Sequence, residues 1–172
     1  CDNGIAAWQE IALAKELGLT VIITDHHEVP YQETGDGERA YRVPPADAVV
    51  NPKQPDCPYP FKGLCGAAVA FKLVQALYEE LGLPQEEALA YLENAAFATI
   101  GDVMDLQGEN RSLVKEGLKA LNRTQNYGIR ALALRNQIAL GEIKAYHVGF
   151  VLGPCLNASG RLDTAKRALE LL

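Results

Sequence analysis

The residues best suited to metal chemistry are Asp25, His26 and His27, which stand next to one another in the sequence. They come directly after residues 19–24, a continuous apolar and β-branched run that predicts a strand buried on both faces of a parallel sheet. Open α/β sheets bind ligands at the carboxyl ends of their strands. Two adjacent imidazoles at such a place need partners, so the pattern favours a functional site over two structural histidines.

A second acid, Asp2, lies ahead of a helical pattern of apolar residues over 5–17, which Gly18 ends. A helix followed by a buried strand predicts a βαβ unit, whose first strand would lie before Cys1. We therefore expect the N-terminal strands of the sheet to be missing from this chain. Asp2 would then follow a strand next to the one that carries His26, which predicts that the two side chains are close.

A third acid, Asp102, follows Gly101 at the end of an apolar helical segment. Two carboxylates and an imidazole form a ligand set for a divalent cation, and mixed oxygen and nitrogen ligands suit Mn²⁺ better than Ca²⁺. Taken singly, Asp2 or Asp102 is more readily explained as a helix cap or turn residue, and that alternative stays open.

The elements that must position these groups change in character along the chain. Residues 1–62 predict an α/β part, with a surface loop over 29–45 and a short strand over 48–50, and from Gly63 the pattern becomes helical. The predicted helices cover 65–82, 85–100, 110–122, 126–135 and 142–152, and a last one begins near 161. The predicted fold class is α/β, a parallel Rossmann-like sheet followed by a mostly helical extension over 63–160. Residues 161–172 are expected to start a further helix.

The two halves of the chain carry opposite charge. Residues 1–110 hold 6 Lys or Arg against 18 Asp or Glu, whereas residues 111–172 hold 10 against 4. Within the basic half, Arg111, Lys115 and Lys119 recur every four residues, and Arg123 continues the pattern. Such a stripe along one helix face can follow a nucleic-acid backbone, although a solvated face is the commoner explanation.

Two further segments are candidates for binding phosphate. Asn157, Ser159, Gly160 and Arg161 are expected to open the last helix, where free backbone N–H groups and a guanidinium would form an anion site, unless they are an ordinary cap. The small residues of 63–68 could also cradle a phosphate, but close packing against the sheet explains them equally well.

Composition excludes several classes of protein. The 48% of apolar residues and 22% of charged residues are typical of a globular domain. Uncharged apolar stretches are too short to span a bilayer, which needs about 20 residues. The four cysteines are irregularly spaced and match neither a disulfide framework nor a zinc knuckle, so reduced thiols in the cytoplasm are expected.

Several segments, which follow one another along the chain in the same order as in the family, resemble the DHH phosphoesterases, in particular their single-strand-specific 5′ exonucleases. Residues 24–28, Thr-Asp-His-His-Glu, are similar to the motif that names the family, and residues 1–5 resemble its preceding Asp-x-Gly motif. The exonuclease resemblance comes from residues 48–52, 64–73, 99–106, 108–111 and 153–162.

The resemblance implies a role for each candidate. Asp2 would bridge two metal ions, while His26 and Asp102 would complete the ligand set of one of them. His27 would contact the scissile phosphate. Asp25 would orient the imidazoles, the usual role of a carboxylate beside metal-bound histidine.

The implied activity is hydrolysis of single-stranded DNA from its 5′ end with Mn²⁺ or Mg²⁺, in DNA repair and recombination. Two departures stand out: the family's upstream Asp-x-Asp-Gly motif for the other metal is missing, and Cys155 replaces a common arginine. The resemblance also implies a second domain, absent from this chain, to which the helix over 161–172 would connect. The chain alone is therefore expected to show little or no nuclease activity. Two alternatives remain: a DHH phosphoesterase for short oligonucleotides, cyclic dinucleotides or pyrophosphate, and a non-catalytic DNA-binding scaffold.

Overall fold

The computed structural model describes residues 1–162 and 164–172, and these residues form two compact units. Unit 1 comprises Cys1–Leu77 and unit 2 comprises Tyr78–Leu172. Within the described residues, no helix is both long and apolar enough to span a membrane.

Unit 1 contains the predicted helix and parallel strands. Helix α1 covers Trp8–Glu16, strand β1 covers Ile22–Thr24 and strand β4 covers Ala48–Val50. Strands β1 and β4 pair in parallel, with Ile23 opposite Val49, which confirms the expected parallel sheet. The expectation that β1 is buried on both faces is wrong at its first residue, because Ile22 is 61% exposed while Ile23 is 3% exposed.

The predicted loop over 29–45 is in fact an antiparallel hairpin. Strand β2, Tyr31–Glu33, pairs with β3, Arg39–Tyr41, and all six residues are exposed. The rings of Tyr31 and Tyr41 lie 5.7 Å apart, and the guanidinium of Arg39 lies 4.4 Å from the Tyr31 centroid. A cross-strand aromatic pair can stabilise a two-stranded ribbon that has no buried face. Such a ribbon lacks the alternation of apolar and polar residues by which strands are recognised in a sequence.

After β4, the regular secondary structure of the described residues is helical. Helix α2 covers Gly66–Glu80, close to its predicted bounds. The predicted helix 85–100 is interrupted: α3 is Gln85–Ala88, a 3₁₀ turn follows at Leu89–Tyr91, and α4 is Leu92–Gly101. The remaining α-helices are α5 Gly108–Leu121, α6 Tyr127–Arg135, α7 Ala145–His147, α8 Gly153–Leu162 and α9 Ala165–Leu171, with a π-helical turn at Val148–Leu152 between α7 and α8.

The core of unit 2 explains why these helices pack as they do. Helices α4 and α5 pack closely because Gly117 has no side chain, since a Cβ there would lie 2.2 Å from the Cβ of Ala96. The buried apolar cluster of the unit consists of Leu121, Ile129, Ala133, Ile143, Val148 and Leu152. The side chain of Asn122 ties this cluster together, because it donates to the carbonyl of Ile143 and accepts from the Ile143 N–H.

The half-buried Glu93 of α4 gives unit 2 a predicted dependence of stability on pH. Burial raises its pKa, and the hydrogen bond from the Thr124 hydroxyl, 2.8 Å long, only partly offsets the increase. Folding therefore favours the protonated carboxyl of Glu93. Its ionisation lowers stability fully at pH values above the pKa of the folded state, and has no effect at pH values below the pKa of the unfolded state. We expect Glu93→Gln to raise the melting temperature at pH 7, with a gain that shrinks towards pH 4. Thermal melts across this pH range test the prediction, and a gain that grows on acidification contradicts it.

Candidate metal centre

The carboxyl end of β1 holds the Asp25-His26-His27 segment in place. The Asp25 N–H donates to the carbonyl of Val50, 3.0 Å away, which extends the β1–β4 pairing by one residue. Asp25 is 1% exposed and His26 is 8% exposed, whereas His27 is exposed. The strand therefore anchors the first residue and presents the imidazoles at its end.

Asp25 organises this segment through both carboxylate oxygens. Oδ1 accepts from the N–H groups of His26 and His27 and from the His27 ring, and Oδ2 accepts from the N–H of Ile5 at 2.9 Å. Burial raises the pKa of Asp25, but these hydrogen bonds together lower it to about 2. Asp25 is therefore ionised at neutral pH and acts only as an acceptor.

The charge on Asp25 fixes the tautomer of His27. The two side chains meet at 2.7 Å between Oδ1 and Nδ1, and an ionised carboxylate requires the proton to be on Nδ1. In a neutral ring Nε2 then has a lone pair for a cation or an acidic hydrogen. The side chain of Asn51 supports this arrangement because its Nδ2 donates to the His27 carbonyl at 3.0 Å.

Asp2 meets the imidazoles, as the neighbouring-strand argument predicts. Its N–H donates to the carbonyl of Thr24 at 2.7 Å, and its Oδ1 lies 3.2 Å from Nε2 of His26. One ligand atom from each of Asp2, His26 and His27 lies within 4.8 Å of the others. Octahedral ligands about 2.1 Å from a shared cation are roughly 3 Å apart, so the 3.2 Å between Asp2 and His26 and the oxygen–nitrogen donor set fit a divalent metal.

Asp102 lies in unit 2, at the C-cap of α4. Its N–H donates to the carbonyl of Ala98 at 2.8 Å, and the residue is exposed. The next residue, Val103, has a φ of 56° and is 88% exposed, an unusual conformation for a β-branched residue. The place of Asp102 in the metal centre stays a prediction.

Arg111, Lys115 and Lys119 lie on α5 with their side chains exposed. The opposite side of the helix buries Leu113, Val114 and Leu121. Lys119 forms an ion pair with Glu116 at 2.8 Å, which offsets part of its charge. The stripe is therefore accessible, and its role in binding DNA stays a prediction.

The predicted anion site at the start of the last helix is wrong in its geometry. Asn157, Ser159, Gly160 and Arg161 lie inside α8, which begins at Gly153, so their N–H groups are within a helix rather than at its free end. The hydroxyl of Ser159 donates to the carbonyl of Leu156 at 2.8 Å. Of the predicted last segment, position 163 lies outside the described residues. Phosphate binding by these side chains remains a prediction.

Three features of the structure were not predicted from the sequence. Asn51 acts through the backbone of His27, and Gly66 lies against the side chain of Asp2, a contact between residues 64 positions apart. Tyr146 and Phe150 form an exposed stacked pair, with ring centroids 5.2 Å apart and exposures of 64% and 73%. Their spacing of four residues was the available signal, but it does not distinguish a buried pair from an exposed one.

Comparisons with known proteins agree with this geometry. Residues 1–99 match the family described as "DHH family, N-terminal domain". The single-stranded-DNA-specific exonuclease RecJ of Bacillus subtilis is 47% identical over 171 residues, which cover 99% of this chain and 20% of that protein. RecJ of Thermus thermophilus is 40% identical over 99% of this chain and 23% of its own length.

Solved structures give the same result. A crystal structure of exonuclease RecJ bound to manganese superposes with a TM-score of 0.81 at 39% identity, covering 99% of this chain and 40% of that one. The structure of RecJ in complex with Mn²⁺ from Thermus thermophilus gives a TM-score of 0.79 at 40% identity, covering 99% of this chain and 24% of that one. The chain thus spans only part of the length of these relatives.

Proposed function

The chain belongs to the DHH family, and from that premise we propose that it is the metal-binding part of a cytoplasmic exonuclease that hydrolyses single-stranded DNA from the 5′ end. The observation that supports this most directly is the grouping of Asp2, His26 and His27 at one strand end, with ligand atoms within 4.8 Å. The chain spans 20% to 23% of two exonuclease relatives. The proposal therefore assigns the upstream metal-binding motif and the second domain to residues outside this chain.

In this proposal Asp2 and His26 hold Mn²⁺ or Mg²⁺, and the role of Asp102 as a further ligand stays a prediction. When bound, divalent ions supply a water of lowered pKa and offset the negative charge that develops on the phosphoryl oxygens. The buried position of His26 presents its Nε2 towards Asp2 and leaves little freedom for the ring to turn away.

Asp25 and His27 have separate tasks beside the metal. Asp25 holds the proton on Nδ1 of His27, so that Nε2 is the atom that meets the scissile phosphate. A protonated His27 would donate to a phosphate oxygen from the same atom. Asn51 fixes the backbone of His27, which limits movement of the ring during the reaction.

Unit 2 offers the contacts that a long strand requires. The exposed cations Arg111 and Lys115 suit the phosphate backbone, and the stacked rings of Tyr146 and Phe150 form a surface on which bases can stack. Bases stack on aromatic side chains without sequence preference. These features favour a DNA strand over pyrophosphate or a cyclic dinucleotide.

Replacing the matching segment of the Bacillus subtilis relative with this chain tests the proposal directly. We expect the chimaera to degrade 5′-labelled single-stranded DNA with Mn²⁺ and to lose that turnover when His26→Ala is introduced. A folded chimaera that hydrolyses DNA equally well with and without His26 contradicts the proposed function.

The double variant Arg111→Ala, Lys115→Ala tests the DNA-binding stripe. Each lost phosphate contact should reduce the slope of log affinity against log salt by about 0.7, so the pair should reduce it by about 1.4. Fluorescence anisotropy with single-stranded oligonucleotides of increasing length measures the slope, and Lys166→Ala on α9 is the matched control. An unchanged slope means that the stripe is only a solvated face.

A further inference from the structure

Gly66 occupies a position where any side chain would collide with the metal centre. A Cβ built at Gly66 would lie 1.8 Å from Oδ1, 2.5 Å from Cγ and 2.9 Å from Cβ of Asp2. Non-bonded heavy atoms essentially never come within 3.0 Å of a Cβ, so one of the two groups would have to move. We propose that Gly66 is a positioning residue, whose missing side chain lets the Asp2 carboxylate stay beside His26; this rests on the proposed role of Asp2 as a metal ligand.

Backbone conformation does not explain a glycine at this position. Gly66 is the first residue of α2, and its φ lies outside the left-handed region that favours glycine. An alanine would also favour the helix, since glycine is the poorer helix former. The close approach of Asp2 therefore provides the physical reason for glycine here.

The helix cannot easily withdraw to make room for a methyl group. Gly66 itself is buried, Cys65 on its N-terminal side is 2% exposed, and Ala68 within the same turn is 0% exposed. Displacing the start of α2 would break close packing of these small residues, which costs stability.

The Asp2 side chain, in contrast, has somewhere to go. It is 61% exposed, and its backbone is tied by the hydrogen bond from its N–H to the Thr24 carbonyl. The colliding atom, Oδ1, is also the atom 3.2 Å from Nε2 of His26. The cheapest relief is a rotation of the carboxylate into solvent together with a small shift of the Asp2 Cβ, which at 2.9 Å would lie just inside the 3.0 Å limit; this preserves the fold and removes Oδ1 from the metal centre.

The first test is Mn²⁺ binding by Gly66→Ala, measured by titration calorimetry on the 172-residue chain. We expect the affinity to fall at least about 10-fold, the lower end of what lost support of a metal ligand costs. Gly35→Ala is the matched control, because a Cβ there meets nothing within 4 Å, and it should titrate like the original chain. Equal Mn²⁺ affinities of Gly66→Ala and the original chain overturn the proposal.

The second test needs no metal. Removal of the Asp2 side chain by Asp2→Gly eliminates the collision, so Gly66→Ala should lower the melting temperature less, or even raise it, in that background. If Gly66→Ala lowers the melting temperature equally with and without the Asp2 side chain, the proposal is overturned. This comparison also applies if Gly66→Ala alone is too unstable for a Mn²⁺ titration. If His26→Ala and the original chain bind Mn²⁺ equally, the proposed metal centre fails, yet the melting temperatures still report on the Gly66–Asp2 contact.

Discussion

His26→Ala is expected to weaken Mn²⁺ binding by at least about 100-fold. Loss of a residue that only supports a metal ligand costs about 10–100-fold in affinity, so loss of a ligand should reach at least the top of that range. His26 is buried at the end of β1 with Nε2 directed at Asp2, and alanine leaves no donor atom there. Titration calorimetry with Mn²⁺ on the purified chain gives the two dissociation constants.

His147→Ala is a suitable control for this comparison. His147 lies in unit 2, where its Nδ1 accepts from the N–H of Lys144 at 3.1 Å. The control variant should bind Mn²⁺ as the original chain does, since the lost group is an imidazole outside the proposed centre. Identical titrations of His26→Ala and the original chain would remove the basis of the metal assignment.

The Asp25→Asn variant should be destabilised by about 3 kcal/mol, even when a chelator keeps the protein free of metal. Three donors meet Oδ1 and the Ile5 N–H meets Oδ2, so either orientation of an amide places its NH₂ against at least one donor. A buried donor without an acceptor costs about 1–3 kcal/mol, and the favourable charge of the carboxylate is lost as well.

Urea unfolding in the presence of EDTA measures this loss for Asp25→Asn. Asp56→Asn serves as the control, because Asp56 is exposed and a surface change of this kind stays within about 0.5 kcal/mol. If Asp25→Asn unfolds at the same urea concentration and with the same slope as the original chain, the hydrogen bonds to Asp25 do not organise the segment as described.

The strand-end chemistry could be predicted from sequence because it depends on local order. A buried strand followed by Asp25, His26 and His27 places these groups at a sheet edge whatever the rest of the chain does. To predict that Asp2 lies close to His26 required one further step, the rule that a helix connects neighbouring parallel strands. Both steps use rules that hold without knowledge of long-range packing.

Contacts between distant segments explain what sequence reasoning missed. Nothing in the small residues around Gly66 indicates that Asp2 lies against them rather than a phosphate or the sheet. The last helix, predicted to begin near 161, is α9 and begins at Ala165. The residues expected to open it instead lie within α8, because a π-helical turn at Val148–Leu152 leads directly into α8. The hairpin was missed because its rings pack on each other and not on a core.

The exposed β2–β3 hairpin is a suitable place to attach a label. All residues of β2 and β3 are exposed, and a side chain added at Gly35 in the connecting turn meets nothing within 4 Å. A short epitope or a reporter peptide inserted at this turn should leave both packed units intact. The turn is therefore a suitable point at which to immobilise or label the protein without changing the segment that carries Asp2.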